Sequence, residues 1–273
     1  YGFGLNTTLA SLLNTGFDNI YQLVLGRYFS IRQVGLFYQA KKLQEVPTNA
    51  VNQLTLGVLF SSLSKLQDNK ESFIKAYSKI ILQFTVIMGL VTSLIFLYSE
   101  NIILSLYGKA WIGSVFYMKL LCIASFFYLQ EMVNRIIFKV FNQTHKILYL
   151  ELLKKSIQTV SILIGIWKMD LQVLIIGFVV SSVISYFVNF YYSRKTLGGV
   201  VWFEIILIVK IIAISVACML SVQYLMGISG VKGLYTFVFL PVFLLLYLLL
   251  LTVTGIYKIR EEARMIKGIL KSK

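Results

Sequence analysis

The sequence predicts an all-α integral membrane protein with about eight transmembrane helices. Hydrophobic residues make up 58% of the 273 positions and charged residues only 14%. Mean hydropathy is +0.80. A soluble domain runs at roughly 45–50% apolar and about 25% charged. The apolar residues also fall into long runs, and a spanning helix needs about 20 of them. Barrel strands would be about half that length and would alternate in polarity, which these runs do not.

Taken in order, the runs are 3–26, 46–64, 80–99, 113–143, 147–167, 171–193, 211–231 and 233–257. The third, sixth, seventh and eighth contain no charged residue. The first contains Asp18. The fourth contains Lys119, Glu131, Arg135 and Lys139, and the fifth contains Glu151, Lys154 and Lys155. Pro47 is expected in the first turns of the second span or at a kink, and Pro241 should kink the last one. Residues 258–273 mix basic side chains with Ile259, Ile266, Ile269 and Leu270. That spacing predicts a basic interfacial helix on the inner leaflet.

The 26 Lys and Arg against 11 Asp and Glu give a formal charge of +15. No basic-aromatic groove or nucleic-acid motif accompanies it, so nucleic acid is not an expected partner. Anionic membrane lipids are, through basic cytoplasmic loops. The loops after spans two, four and six and the tail carry most of the cations, which puts both ends of the chain in the cytoplasm. One loop departs from this pattern. The segment after the first span holds Arg27, Arg32, Lys41 and Lys42. It is either a local exception or a set of cations facing a water-filled cavity and an anionic substrate. The chain opens at Tyr1 without an initiator Met, and is read as the carboxyl-terminal part of a longer protein.

Ionisable and amide side chains at membrane depth point to function, because burying them is costly. Asn14, Asp18 and Gln22 share one stripe of the first span, at i, i+4, i+8. Glu45, Asn49 and Asn52 do so near the second. Glu131 and Arg135 can pair along one helix face, while Lys139 snorkels to the interface. Asp18 and Glu131 are the two acids expected deep enough to carry a proton or cation. The alternative for all of these is ordinary interhelical hydrogen bonding, at about 0.6–2 kcal/mol per pair.

Cys122 and Cys218 each sit in an apolar run and are expected to be buried hydrophobes. With a single histidine, His145, no Cys/His metal site is expected. No phosphate loop, HExxH, GxSxG or nucleophile–carboxylate set occurs, so neither an enzyme nor a cofactor is expected.

Several segments resemble the bacterial polysaccharide-export flippases of the multidrug/oligosaccharidyl-lipid/polysaccharide exporter superfamily. These are Phe3-Gly4-Leu5 with Asn14, Asn19 and Gly26-Arg27; Val34-Gly35-Leu36-Phe37-Tyr38 running on to Leu43-Gln44 and Pro47; and residues 57–79, with Ser64-Lys65-Leu66-Gln67-Asp68 and Ala76-Tyr77. Tyr107-Gly108-Lys109-Ala110-Trp111, 120–125 and 150–155 follow in order. The resemblance covers residues 1–195; the last two spans share only composition. It implies a second six-helix lobe, residues 1–195, of a two-lobe transporter, with two further helices in 201–257. The activity implied is movement of undecaprenyl-pyrophosphate-linked sugar units from the inner to the outer leaflet of the bacterial plasma membrane by alternating access, in lipopolysaccharide, capsule or exopolysaccharide biosynthesis. The partners implied are the lipid-linked oligosaccharide, a polysaccharide polymerase and glycosyltransferases. A diphosphate head needs fixed cations. Arg27, Arg32, Lys41, Lys42 and Arg135, with Asn14 and Asn49, are the substrate-binding candidates, and Asp18 and Glu131 the coupling candidates. A cation-coupled multidrug antiporter of the same superfamily and a non-transporting scaffold are the alternatives.

Overall fold

The computed structural model describes residues 2–54, 59–198, 202–231 and 233–256. The expected interfacial helix at 258–273 lies outside the described residues. Among them every regular element is helical. The α-helices are α1 Gly2–Tyr28, α2 Ile31–Leu54, α3 Phe60–Ser64, α4 Lys70–Tyr107, α5 Ser114–Val140, α6 Thr144–Lys168, α7 Leu171–Thr196, α8 Phe203–Ser229 and α9 Leu240–Val253. Short 3-10 turns cover Lys109–Trp111 and Gly233–Phe239.

Local chemistry sets the boundaries. The Asn69 side chain caps α4 by accepting the Ser72 N–H at 3.0 Å, and Asp170 caps α7 by accepting from Gln172 N–H at 2.7 Å. Gly108, with φ +80°, ends α4 in a conformation that favours glycine. At 38 residues α4 is roughly 57 Å long, against about 30 Å of hydrocarbon. Its polar first turns therefore extend past the apolar segment.

Four helices, α4, α5, α7 and α8, together with the segment Tyr235–Val253, are long and apolar enough to cross a membrane. With helices of this kind and apolar side chains such as Leu220, Leu245 and Leu249 facing outward, the chain is an all-α integral membrane protein. α1, α2 and α6 have 27, 24 and 25 residues. They are long enough to span, but each carries a polar stripe.

Two sequence expectations need correction. The second span, read as 46–64, is displaced: α2 is described from Ile31 to Leu54, and Phe60–Ser64 is helical as well. Arg32, Lys41 and Lys42 are therefore helical residues, and the loop that broke the charge rule is a two-residue connection at Phe29–Ser30. Hydropathy missed this because the charges of α2, Arg32, Lys41, Lys42 and Glu45, all lie ahead of the apolar run at 46–64. Pro47 sits in the interior of α2 rather than near its start. Conversely, Pro241 does not interrupt a helix. It occupies the first turn of α9, where a missing N–H costs nothing.

The helices pack around α5, which contacts α2, α4 and α7. α6 lies on α7, α1 on α6, α8 on α4 and α9 on α8, while α1 and α2 barely touch. The Trp111 ring and Leu36 pack where Gly35 and Gly113 leave room, at 3.8 Å and 2.8 Å from the positions Cβ atoms would take. Both cysteines are buried and unbonded. The α4–α8–α9 contact depends on Gly89. A Cβ there would lie 2.2 Å from Ile211 Cγ2 and 2.9 Å from Tyr247 Oη. That hydroxyl donates to the Val86 carbonyl at 2.9 Å. Gly89→Val is expected to destabilise the protein by about 1–3 kcal/mol through overpacking, read as a lowered unfolding midpoint of the purified protein.

Candidate functional site: a charge-paired cavity between α1, α2, α5 and α6

Because α1 packs on α6 and α2 on α5 with little contact between the two pairs, a cavity of about 410 Å³ remains between them. α1 contributes Asn14, Asp18 and Tyr21; α2 contributes Lys41, Glu45 and Asn49. Their spacings of three or four residues place each set on one helix face. Gln44 of α2 donates to Ser125 of α5, fixing that wall.

The floor is an ion-pair network. Glu131 and Arg135 are one turn apart on α5 and bonded to each other. Arg135 also bonds Glu151 of α6, so the guanidinium crosses the α5–α6 gap. Lys154 donates to Glu131 at 3.0 Å and lies 5.0 Å above the Tyr128 ring. The Asn189 amide of α7 donates to Glu131 at 3.2 Å. Lys155 sits 4.5 Å from the Phe17 ring centre and 4.0 Å from Asp18. On the α2 side, Lys41 pairs with Glu45 at 3.6 Å. Every cation that lines the cavity thus has a carboxylate partner. Buried pairs of this kind hold only while both partners stay.

The candidates from sequence divide in two. Asn14, Asp18, Lys41, Asn49 and Arg135 line this one cavity, with Glu131 bonded directly behind it. Arg27, Arg32 and Lys42 are exposed and outside it, so the basic cluster does not converge as a group. Gln22, the third member of the α1 stripe, is likewise exposed. The sequence reading also missed functional-looking residues. Lys154 and Lys155, placed by sequence in the fifth span but not among the candidates, lie mid-helix in α6 and line the cavity. Glu151 is a further buried acid. The signal was available: Glu151, Lys154, Lys155 and Gln158 fall at i, i+3, i+4, i+7, a single stripe.

A second polar cluster joins α4, α5, α7 and α8. Arg194, assigned from sequence to a loop, is 4% exposed and bonds Glu204, 2% exposed. Glu204 also accepts from Asn134 Nδ2 at 2.7 Å and from the Tyr186 hydroxyl at 3.0 Å. The Arg194 guanidinium lies 4.9 Å from the Tyr77 ring centre and 5.0 Å from that of Phe190. Glu204 was missed because α8 starts at Phe203, several residues before the apolar run.

Comparison with known sequences finds one family model, described as "Polysaccharide biosynthesis protein", matching residues 1–116. The chain is also similar to the lipopolysaccharide biosynthesis protein WzxC of Escherichia coli (strain K12), 29% identical over 126 residues. That match covers 44% of this chain and 25% of WzxC, so the chain spans about a quarter of the length of the relative it matches. No solved structure matches the chain. The matched residues run from α1 through α4 to the start of α5 and include the α1 and α2 walls of the cavity.

Proposed function

We propose that the chain is part of a flippase that carries lipid-linked oligosaccharide across the bacterial inner membrane. In that reading residues 1–195 are the second lobe, the eight long helices all span, and both ends are cytoplasmic. The cargo is an undecaprenyl-pyrophosphate-linked repeat unit, handed on to a polymerase, and the protein performs no covalent chemistry. The observation that carries the reading is the polar cavity between α1, α2, α5 and α6 in a membrane protein, with its α1 and α2 walls inside the segment that matches the polysaccharide biosynthesis family. Membrane proteins keep ionisable groups at such positions when a substrate passes them, and alternating access works around a fixed central site.

The test is made in the full-length protein. Lys41→Ala and Lys155→Ala are expected to lower surface polysaccharide roughly tenfold at unchanged protein level, with lipid-linked intermediate accumulating inside. Lys75→Ala, on the exposed start of α4, should have no effect. Normal surface polysaccharide in a strain lacking the protein would refute the reading.

A second reading, a cation-coupled antiporter, draws on Asp18. Its side chain is 63% exposed, lines the cavity, and reaches Lys155 only at 4.0 Å, which leaves it open to a coupling cation. Cation-dependent dye efflux abolished by Asp18→Asn would favour this reading over the first.

A further inference from the structure

The cavity was expected to be a positive hollow suited to a diphosphate. Its charges, with Glu131 behind the floor, instead sum to zero, and each lining cation is already paired with a carboxylate. An anion reaching the buried floor would have to break the pairs of Arg135 or Lys154 and leave Glu131 or Glu151 unpaired at low dielectric. What the floor leaves unsatisfied is hydrogen-bonding capacity rather than charge. Gln158, 3% exposed, has an Oε1 with no hydrogen-bond partner. The second oxygen of Glu151, 2% exposed, has none of good geometry, although the Asn14 amide faces it from α1. Arg135 Nε–H is a donor without an acceptor. Buried polar groups without partners are rare and call for an explanation. Here all three belong to residues that line one cavity. Its other walls are aromatic, with Phe17, Tyr21, Tyr128 and Phe178.

From this we infer that the cavity is a subsite for the uncharged, polyhydroxyl part of the cargo, with Gln158 and Glu151 as acceptors for sugar hydroxyls and Arg135 Nε–H as a donor to a sugar oxygen. A pyranose ring meets these demands together. Its hydroxyls donate and accept without disturbing an ion pair, and its C–H faces pack on aromatic rings. A buried acceptor of this kind discriminates strongly against a ligand that cannot satisfy it. The inference rests on the transport reading and adds to it the chemical class recognised here and the residues that select it.

The experiment titrates the purified full-length protein by calorimetry with two probes. One is the repeat-unit oligosaccharide released by mild acid from the host's own surface polysaccharide; the other is inorganic pyrophosphate. Gln158→Leu should weaken oligosaccharide binding about tenfold, and pyrophosphate binding should be the same in this variant and the wild type. Wild-type oligosaccharide affinity in Gln158→Leu overturns the subsite, and so does a wild-type protein that takes pyrophosphate but no oligosaccharide. An unchanged thermal midpoint in Gln158→Leu separates lost recognition from lost fold. Deleting the gene distinguishes the two levels. Surface polysaccharide that survives deletion ends the transport reading and the subsite together. Polysaccharide lost on deletion, with oligosaccharide binding intact in Gln158→Leu, ends the subsite alone.

Discussion

Glu204→Leu is expected to destabilise the protein by about 3–5 kcal/mol, the larger of two severe effects this structure implies. Glu204 neutralises Arg194 where both are almost fully buried. It also accepts the Asn134 amide and the Tyr186 hydroxyl. Removing it leaves a guanidinium in low dielectric with only neutral partners against it: the Tyr77 and Phe190 rings, the Tyr77 hydroxyl at 3.3 Å and Asn134 Oδ1 at 3.4 Å. Cation–π contact offsets about 0.5–2 kcal/mol, not the whole desolvation cost. The damage should be local to the junction of α8 with α4, α5 and α7, since Glu204 is the α8 member of the cluster. The measurement is the unfolding midpoint of the purified protein, together with protease sensitivity of α8. The double variant Arg194→Met with Glu204→Leu should recover much of the loss, because it removes both charges at once. A double variant as unstable as Glu204→Leu alone would mean that the hydrogen bonds, not charge compensation, hold this junction.

Glu131→Ala is the second. One carboxylate there serves Arg135, Lys154 and the Asn189 amide, so its loss strips a partner from two cations on two helices. A penalty of about 3–5 kcal/mol applies to breaking a buried pair. Arg135 keeps Glu151, which softens the effect on that side, whereas Lys154 loses its ion-pair partner. Glu131→Gln keeps the volume and acceptor capacity and should cost less. If Glu131 were instead a mobile proton carrier, Glu131→Gln would abolish transport while leaving stability nearly intact. A stability loss that parallels the transport loss across Ala and Gln marks it as the residue that positions Arg135 and Lys154. Protein level and surface polysaccharide measured in the same cells separate these outcomes.

Composition and run length were enough to give the membrane solvent and the all-α class, because long apolar runs and scarce charge leave no soluble alternative. The residue order also determined the family resemblance, carried by motifs such as 34–38 and 107–111, and both stripes that face the cavity from α1 and α2. Those are properties of spacing along one helix, which the chain carries locally. Only the tertiary structure decided which charges meet. Glu151 and Arg135 are neighbours because α5 and α6 pack side by side, and Arg194 finds Glu204 across an interruption in the helices. Periodicity cannot report a contact between helices. Nor did hydropathy locate the start of α2, whose charged stretch is tolerated because Phe37, Ala40 and Gln44 are buried against the rest of the bundle. The net charge suggested a positive hollow. Packing, by pairing each lining cation with a carboxylate, produced a neutral one.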